Sequence, residues 1–120
     1  MEKQLDPIEI RENLSRFSGT EHFYRECIGD FLYTDGVKYM AEACKAYWLL
    51  TDAGIRSKAL MAKSPFIKIA VTCDEERAIV EYTDGNGGML HENQYLCPAF
   101  PLQVLTMYFT DNTLLLPEEY

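Results

Sequence analysis

The chain has 120 residues, of which 48% are hydrophobic, and its formal net charge is −8. This length fits one domain over residues 1–120, whose folding would bury roughly two thirds of the unfolded chain's surface. No stretch of about 18 apolar residues is present, and the charged start MEKQLDPIEIREN lacks the apolar run of a signal peptide. We therefore expect a cytoplasmic protein with no membrane association.

The charge is unevenly distributed along the chain. Residues 1–36 carry four basic and eight acidic side chains, residues 37–65 carry five and two, and residues 66–120 carry two and nine. Affinity for nucleic acid comes largely from lysines and arginines that neutralise phosphates, so direct binding to DNA or RNA is not expected. The acidic part would suit a basic partner surface, an imitation of nucleic acid, or a solvated surface without a specific partner.

The cysteines and histidines predict no metal site. The four cysteines are Cys27, Cys44, Cys73 and Cys97. They are too far apart in sequence for the close C-x2-C spacing of zinc and redox motifs, and neither His22 nor His91 lies at a ligand spacing from them. We expect free thiols that pack as small hydrophobes, and neither a metal nor a cofactor.

The first helix is predicted over residues 6–17. Asp6 can cap free amide groups, Pro7 suits the first helical position, and Glu9 can complete a capping box. Apolar residues then recur roughly on one face of the helix. Residues 21–32, which follow it, have mixed periodicity and receive no assignment.

The main helix is predicted over residues 36–53, because VKYMAEACKAYWLLTDAG is rich in helix formers and closes with Gly54. It follows the residues YTDG, of which Thr34 or Asp35 would be the N-cap. Most of its circumference is apolar, so its second side needs cover from the first helix or from a partner. The strip in question comprises Tyr39, Ala43, Ala46 and Leu50. If the first helix does not cover it, a symmetric homodimer is expected.

The second half of the chain alternates with a period of two and predicts strands. PFIKIAVTC and RAIVEYT flank a polar turn, and a second YTDG leads into the hairpin loop DGNGG before a third strand at about 89–96. VLTMYFT and TLLL are joined by the two-residue turn Asp111-Asn112. The prediction is an α+β fold, with N-terminal helices (about 1–63) packed on one face of an antiparallel sheet of about five strands (about 65–117).

No motif indicates catalysis. DGNGG lacks the lysine and hydroxyl residue of a P-loop and the spacing of a dinucleotide-binding loop. A calcium loop from Asp84 would need glycine and glutamate where the chain has Met89 and Tyr95. With two histidines, only His91 beside a cysteine of a neighbouring strand is conceivable as a base with its nucleophile. We therefore lean against an enzyme.

Aromatic residues cluster in the helical half: Tyr24, Tyr33, Tyr39, Tyr47 and Trp48. Interfaces and ligand pockets favour tyrosine and tryptophan, which combine apolar area with a polar tip, although core packing explains most of this cluster. The candidate ligand or partner surface near the start of the main helix comprises Tyr33, Asp35, Lys38, Tyr39, Glu42 and Trp48.

Several segments together resemble a known family. YTDGVKYMAEACKAYWLL, with SGTEHFYR before it, DGNG in the sheet half and LLLPEEY at the end, resembles an uncharacterised family of small bacterial, plasmid and phage proteins, a domain of unknown function. The resemblance covers nearly the whole chain in order. It implies a compact single domain and a mobile-element origin, and it implies no catalytic residues, cofactor or substrate.

Two classes of function follow as hypotheses. The first is a small acidic interaction protein without catalytic activity, such as an accessory or anti-defence factor of a mobile element. The alternative is a small-molecule binding or sequestering protein with an aromatic pocket near the start of the main helix, and a small enzyme comes third. A ligand-dependent rise in melting temperature would indicate the binder, whereas recovery of a partner in pull-downs would indicate the interaction protein.

Overall fold

A computed structural model describes residues 6–19, 22–74, 76–96 and 99–120. The helices of this part of the chain are α1 (Pro7–Leu14), α2 (Asp35–Ala43), α3 (Tyr47–Leu60) and a 3-10 helix η1 (Pro117–Glu119). The strands are β1 (Phe23–Glu26), β2 (Phe31–Thr34), β3 (Phe66–Cys73), β4 (Arg77–Thr83), β5 (Met89–Leu96), β6 (Val104–Thr110) and β7 (Thr113–Leu115). They form one sheet in the order β1-β2-β7-β6-β3-β4-β5. The α+β class is confirmed, but the sheet has seven strands rather than about five.

The two additional strands precede α2, in and just after the segment that received no assignment. β1 is at the edge of the sheet and has no fully buried residue, so its sequence shows no clear alternation of polar and apolar residues. β2 is only four residues long, and it pairs with β7 in parallel, whereas every other pair in the sheet is antiparallel. The sheet is therefore mixed, not purely antiparallel.

The predicted continuous helix over residues 36–53 is wrong, because the chain breaks between α2 and α3. Lys45 adopts a left-handed conformation with φ 53°. Its N–H donates to the carbonyl of Glu42 (3.3 Å), and the N–H of Ala46 donates to the carbonyl of Ala41 (2.8 Å). This pair of bonds is a Schellman motif, which usually has glycine where this chain has lysine. α3 therefore starts in a new direction at Tyr47.

Gly54 was predicted to end the main helix, but it lies inside α3, which continues to Leu60. The ring of Phe31 packs directly against the Cα of Gly54, so that a Cβ at this position would overlap the ring. The glycine is therefore a packing residue that lets α3 approach β2 closely.

The core lies between the sheet and the helices. α3 contacts β2, β3 and β6, and α2 contacts β2 and β7. The buried side of the central strands supplies Ile67, Ile69, Val71, Val80, Tyr82, Leu105, Met107 and Phe109. The apolar strip of the predicted main helix was expected to be buried by the first helix or in a homodimer. In the structure, Ala46 and Leu50 are buried, and Tyr39 and Ala43 are half-buried against this core. The chain itself therefore covers most of that strip.

The predicted turns have the expected chemistry. Asp6 is the N-cap of α1 and its carboxylate accepts from the N–H of Ile8 (2.8 Å), although α1 ends at Leu14 rather than near residue 17. Asp111 and Asn112 both have positive φ (53° and 57°), as a two-residue hairpin turn between β6 and β7 requires.

The cysteines that the structure describes form no disulfide: Cys27 is exposed, whereas Cys44 and Cys73 are buried. Cys97 lies outside the described residues. Among the described residues, no helix combines the length and the apolarity that crossing a membrane would require.

Candidate functional site

The start of α2 is anchored by the C-terminal end of the chain. Thr34 is the N-cap of α2, where its Oγ1 accepts from the N–H of Val37 at 3.4 Å. The same hydroxyl donates to Oε1 of Glu119 at 2.6 Å, and Oε2 of Glu119 accepts from the N–H of Gly36 at 3.1 Å. A buried carboxylate thus lies at the positive end of the helix dipole.

Gly36 is required for this contact. A Cβ at Gly36 would lie 2.5 Å from Oε1 of Glu119 and 2.6 Å from Cδ1 of Leu116. Oε1 also accepts from the N–H of Leu116 (3.1 Å), which closes η1 on itself. Glu119 and Leu116 of the C-terminal segment therefore fix the first turn of α2, and with it the position of Asp35.

Asp35 connects α2 to the edge of the sheet. Its Oδ1 accepts from the hydroxyl of Tyr24 on β1 at 3.0 Å, and its Oδ2 accepts from the backbone N–H of His22 at 3.2 Å. Nδ1 of His22 lies 3.7 Å from the same Oδ2. The hydrogen bond to Asp35 is the main cause that raises the pKa of Tyr24, because it stabilises the protonated phenol.

A groove of about 650 Å³ opens between the end of α1, the start of β1 and the exposed side of α2. Its lining, which we call the tyrosine groove, consists of Arg16, Phe17, Ser18, Gly19, Tyr24, Asp35, Lys38, Tyr39 and Glu42. The wall next to α1 is fixed by ring contact between Phe17 and Tyr39, whose centroids are 5.7 Å apart, and by a hydrogen bond from Asn13 to the hydroxyl of Tyr39 (2.7 Å).

The tyrosine groove already holds a cation of its own. Nζ of Lys38 lies 4.4 Å from the centre of the Tyr24 ring and 3.9 Å from Oε1 of Glu42. Arg16 adds a second positive charge to a lining that also contains the carboxylates of Asp35 and Glu42. Aromatic faces and carboxylates together form an environment that favours ammonium and guanidinium groups.

The structure brings together four of the six residues predicted as a ligand or partner surface, namely Asp35, Lys38, Tyr39 and Glu42. Tyr33 is not in the lining; its ring stacks on that of Tyr24 at 5.5 Å.

Trp48 lies elsewhere in the fold. Its ring is 5.0 Å from that of Tyr95 and 6.5 Å from that of Phe100. The break at Lys45 explains this separation, since α3 does not continue the face of α2.

Sequence reasoning did not assign Arg16, Phe17 and Tyr24 to this surface. Tyr24 was recognised as part of the aromatic cluster, but its strand received no assignment, so its position opposite Asp35 could not be inferred. Arg16 and Phe17 were predicted as the end of the first helix, with Phe17 on its apolar face, but α1 ends at Leu14, so their place in the groove could not be inferred.

The buried thiol of Cys44 is not part of the groove lining. Burial raises the pKa of Cys44 to about 12, so this thiol is protonated and unreactive at neutral pH. No three histidine, cysteine, aspartate or glutamate side chains within residues 6–19, 22–74, 76–96 and 99–120 are arranged to hold a metal ion. The arrangement can bind a charged group through its aromatic rings and carboxylates.

Comparison with known proteins identifies a family for this chain. Residues 8–120 match the model of a family described as "Family of unknown function (DUF6876)". No curated protein and no solved structure matches the chain.

Proposed function

Because the chain belongs to this family of unknown function, we propose its role from the tyrosine groove: it is a small acidic interaction protein whose groove receives a positively charged side chain of a protein partner. The observation that carries the proposal is the position of Lys38, whose ammonium group lies over the ring of Tyr24 and beside Glu42. The groove's rings and carboxylates thus stabilise a cation in the unliganded protein, and a partner's cation would take the same place.

An arginine of the partner suits the groove better than a lysine. A guanidinium group is planar, stacks on a tyrosine ring and forms paired hydrogen bonds to a carboxylate, whereas the ammonium of Lys38 makes a single-point contact on a flexible stem. Lys38 is about two fifths exposed, so its side chain can swing into solvent when an arginine enters. A cation over an aromatic ring is worth about 0.5–2 kcal/mol, depending on how far it is desolvated.

Exposed apolar side chains on the hairpin formed by β1 and β2 favour a protein partner over a metabolite. Phe23, on the edge strand next to Tyr24, is 56% exposed, and Ile28 in the following turn is 84% exposed. Exposed apolar residues are common on partner surfaces, and these two lie on the hairpin that contributes Tyr24 to the groove. A cytoplasmic accessory or anti-defence factor of a mobile element would need such a surface, and the genes beside this one would test that role.

The proposal is tested by titrating the 15N-labelled protein with N-acetyl-arginine amide and following amide shifts of α2 and β1. Shifts should centre on residues around Tyr24 and Glu42. Lys38→Met removes the resident competitor and should strengthen binding, whereas Glu42→Gln should weaken it. Glu118→Gln, which changes an exposed carboxylate outside the groove, is the matched control. Binding that Lys38→Met weakens, or shifts that avoid the groove, would reject the proposal.

A second candidate is a small zwitterionic ligand, such as an amino acid. The groove sets Arg16 and Lys38 beside Asp35 and Glu42, and its volume lies within the range of about 300–1,000 Å³ for small-molecule sites. Such a ligand would pair its carboxylate with Lys38 and its ammonium with an acidic residue. Lys38→Met would then weaken binding, which is opposite to the effect expected for a guest arginine. A rise in melting temperature with an amino-acid panel, lost in Lys38→Met, would establish this candidate.

A further inference from the structure

β5 is the end strand of the sheet, at the opposite edge from the tyrosine groove. Seven of its eight residues, MLHENQYL, pair with β4, whereas Leu90 is skipped at a β-bulge. Within the described residues, none of the backbone groups of β5 bonds to an element other than β4. An edge strand of this length presents a row of free N–H and C=O groups. The strand contains neither the lysine nor the proline with which proteins often block such an edge.

Two glutamates face each other beside this free edge. Glu81 on β4 lies directly opposite Glu92 on β5, and their side chains lie on the face of the sheet opposite to the buried Val80 and Tyr82. Like charges in this relation destabilise a sheet. Among the described residues neither glutamate forms an ion pair. The pair is therefore a local excess of negative charge that folding alone does not neutralise.

The nearest cations on this face of the sheet do not neutralise the pair. Arg77 is four residues from Glu81 along β4, about 13 Å away at the rise of a strand. Lys68 on β3 lies diagonal to Glu81, because Ala70 is the residue opposite it, and Lys68 forms no ion pair within the described part of the chain.

A second copy of the chain that paired about the middle of β5 would add negative charge to this edge. In a symmetric antiparallel pair of β5 strands, directly opposite residues share one face of the sheet, so the two-fold axis lies between one residue and its own copy. An axis at Glu92 sets two glutamates directly opposite each other, and an axis at Asn93 sets them diagonally. Either register would bring four glutamates into one patch, since Glu81 of each chain is adjacent.

We propose that β5 accepts an extended basic segment of a partner protein as an eighth strand, with a lysine or arginine opposite Glu92. The added cation would neutralise the glutamate pair, and the free backbone groups of β5 would supply the hydrogen bonds. Met89 and Leu96, which are 54% and 83% exposed at the two ends of the strand, would provide apolar contacts.

Side chains on the face of β5 opposite to Glu92 hold the strand in position for pairing with a further strand. The hydroxyl of Tyr95 donates to Asp52 on α3 at 3.0 Å, and Nε2 of His91 lies 2.8 Å from Oδ1 of Asn93. The edge is therefore presented by a strand that is tied to the helical layer, which limits the entropy lost when another strand is added.

The test uses the full chain, 15N-labelled, and an acetylated, amidated heptapeptide of alternating threonine and lysine. Amide shifts should centre on residues 89–96. Glu92→Lys should weaken binding about tenfold or more, as expected when attraction becomes repulsion. Glu12→Lys makes the same change of charge on α1 and should change the dissociation constant less than about twofold. The same peptide with every backbone amide N-methylated keeps its charge but loses all of its backbone donors, and it should not bind.

Three outcomes of the peptide titrations would overturn the proposal. They are shifts located away from β5, equal binding of the N-methylated peptide, and equal weakening by Glu12→Lys and Glu92→Lys. A dimer at micromolar concentration by light scattering, with β5 amides protected from hydrogen exchange, would also overturn it in favour of a second copy. Glu42→Gln should leave binding at β5 unchanged, so failure at this edge and failure at the tyrosine groove are seen separately.

Discussion

Replacement of Glu119 by alanine should destabilise the protein more than any other substitution of an acidic residue near the C-terminus. The carboxylate of Glu119 is 9% exposed and accepts from the hydroxyl of Thr34 and from the N–H groups of Gly36 and Leu116. Alanine would leave these donors without their acceptor inside the fold. It would also remove the negative charge from the start of α2.

The size of the loss follows from these contacts. A buried donor left without a partner costs about 1–3 kcal/mol, and a charge at a helix terminus contributes about 0.3–1 kcal/mol. Water can enter the space that alanine leaves and satisfy some of the donors, so we expect a loss of about 3 kcal/mol rather than the full sum. For a chain of this length that corresponds to a fall in melting temperature of roughly 12 °C. Glu119→Gln keeps the shape and should cost about half as much.

Urea unfolding followed by circular dichroism measures these differences, and Glu118→Ala is the matched control because Glu118 is exposed. It should cost less than about 0.5 kcal/mol. Gly36→Ala places a methyl group against the carboxylate of Glu119. The loss of unfolding free energy caused by Gly36→Ala should therefore be smaller in the Glu119→Ala variant than in the wild type. Equal costs of Gly36→Ala in both backgrounds, or a Glu119→Ala variant as stable as the control, would refute this account of the α2 start.

Three further outcomes are expected. Gly54→Ala should cost about 3 kcal/mol by overpacking against Phe31, and less in a Phe31→Leu background, as measured by thermal unfolding. Lys45→Gly should stabilise the protein by about 0.5–1 kcal/mol in the same assay, because φ 53° suits glycine; a loss of stability would contradict this. Burial raises the pKa of the Cys44 thiol from 9.0 to about 12 in the folded protein. The protonated thiol therefore contributes fully to the free energy of unfolding below pH 9, and this contribution is lost as the pH rises towards 12. Between pH 8 and 10.5 the wild type should therefore lose about 2 kcal/mol more than Cys44→Ala, and parallel losses in urea titrations would exclude this role.

The sequence predicted the strands of the second half well, because one face of each is buried and the alternation is visible. β3 and β4 have the bounds that PFIKIAVTC and RAIVEYT indicated, to within a residue. It did not predict β1 and β2, since four-residue strands carry too few residues to show a period. Nor did it predict the break in the main helix, because the left-handed residue is Lys45 instead of glycine.

The candidate surface was predicted where local sequence decides position and missed where tertiary contact does. Asp35, Lys38 and Glu42 share one side of a nine-residue helix, so their proximity follows from helical spacing. Tyr24 reaches the same groove only because β1 pairs with β2, and no local pattern encodes that pairing. Trp48 was grouped with them on the assumption of a continuous helix, which the turn at Lys45 removes.

The repeated YTDG shows how the same four residues acquire different roles. In the second copy, Oδ1 of Asp84 accepts from the N–H groups of Asn86 (2.8 Å) and Gly88 (2.9 Å), so the carboxylate closes its own loop. In the first copy, Asp35 instead accepts from Tyr24, a residue of another element. The carboxylate of Asp84 is thus satisfied within its own turn, whereas that of Asp35 links two elements and lines the tyrosine groove proposed as a binding site. The first copy is therefore the one whose aspartate should affect binding as well as stability.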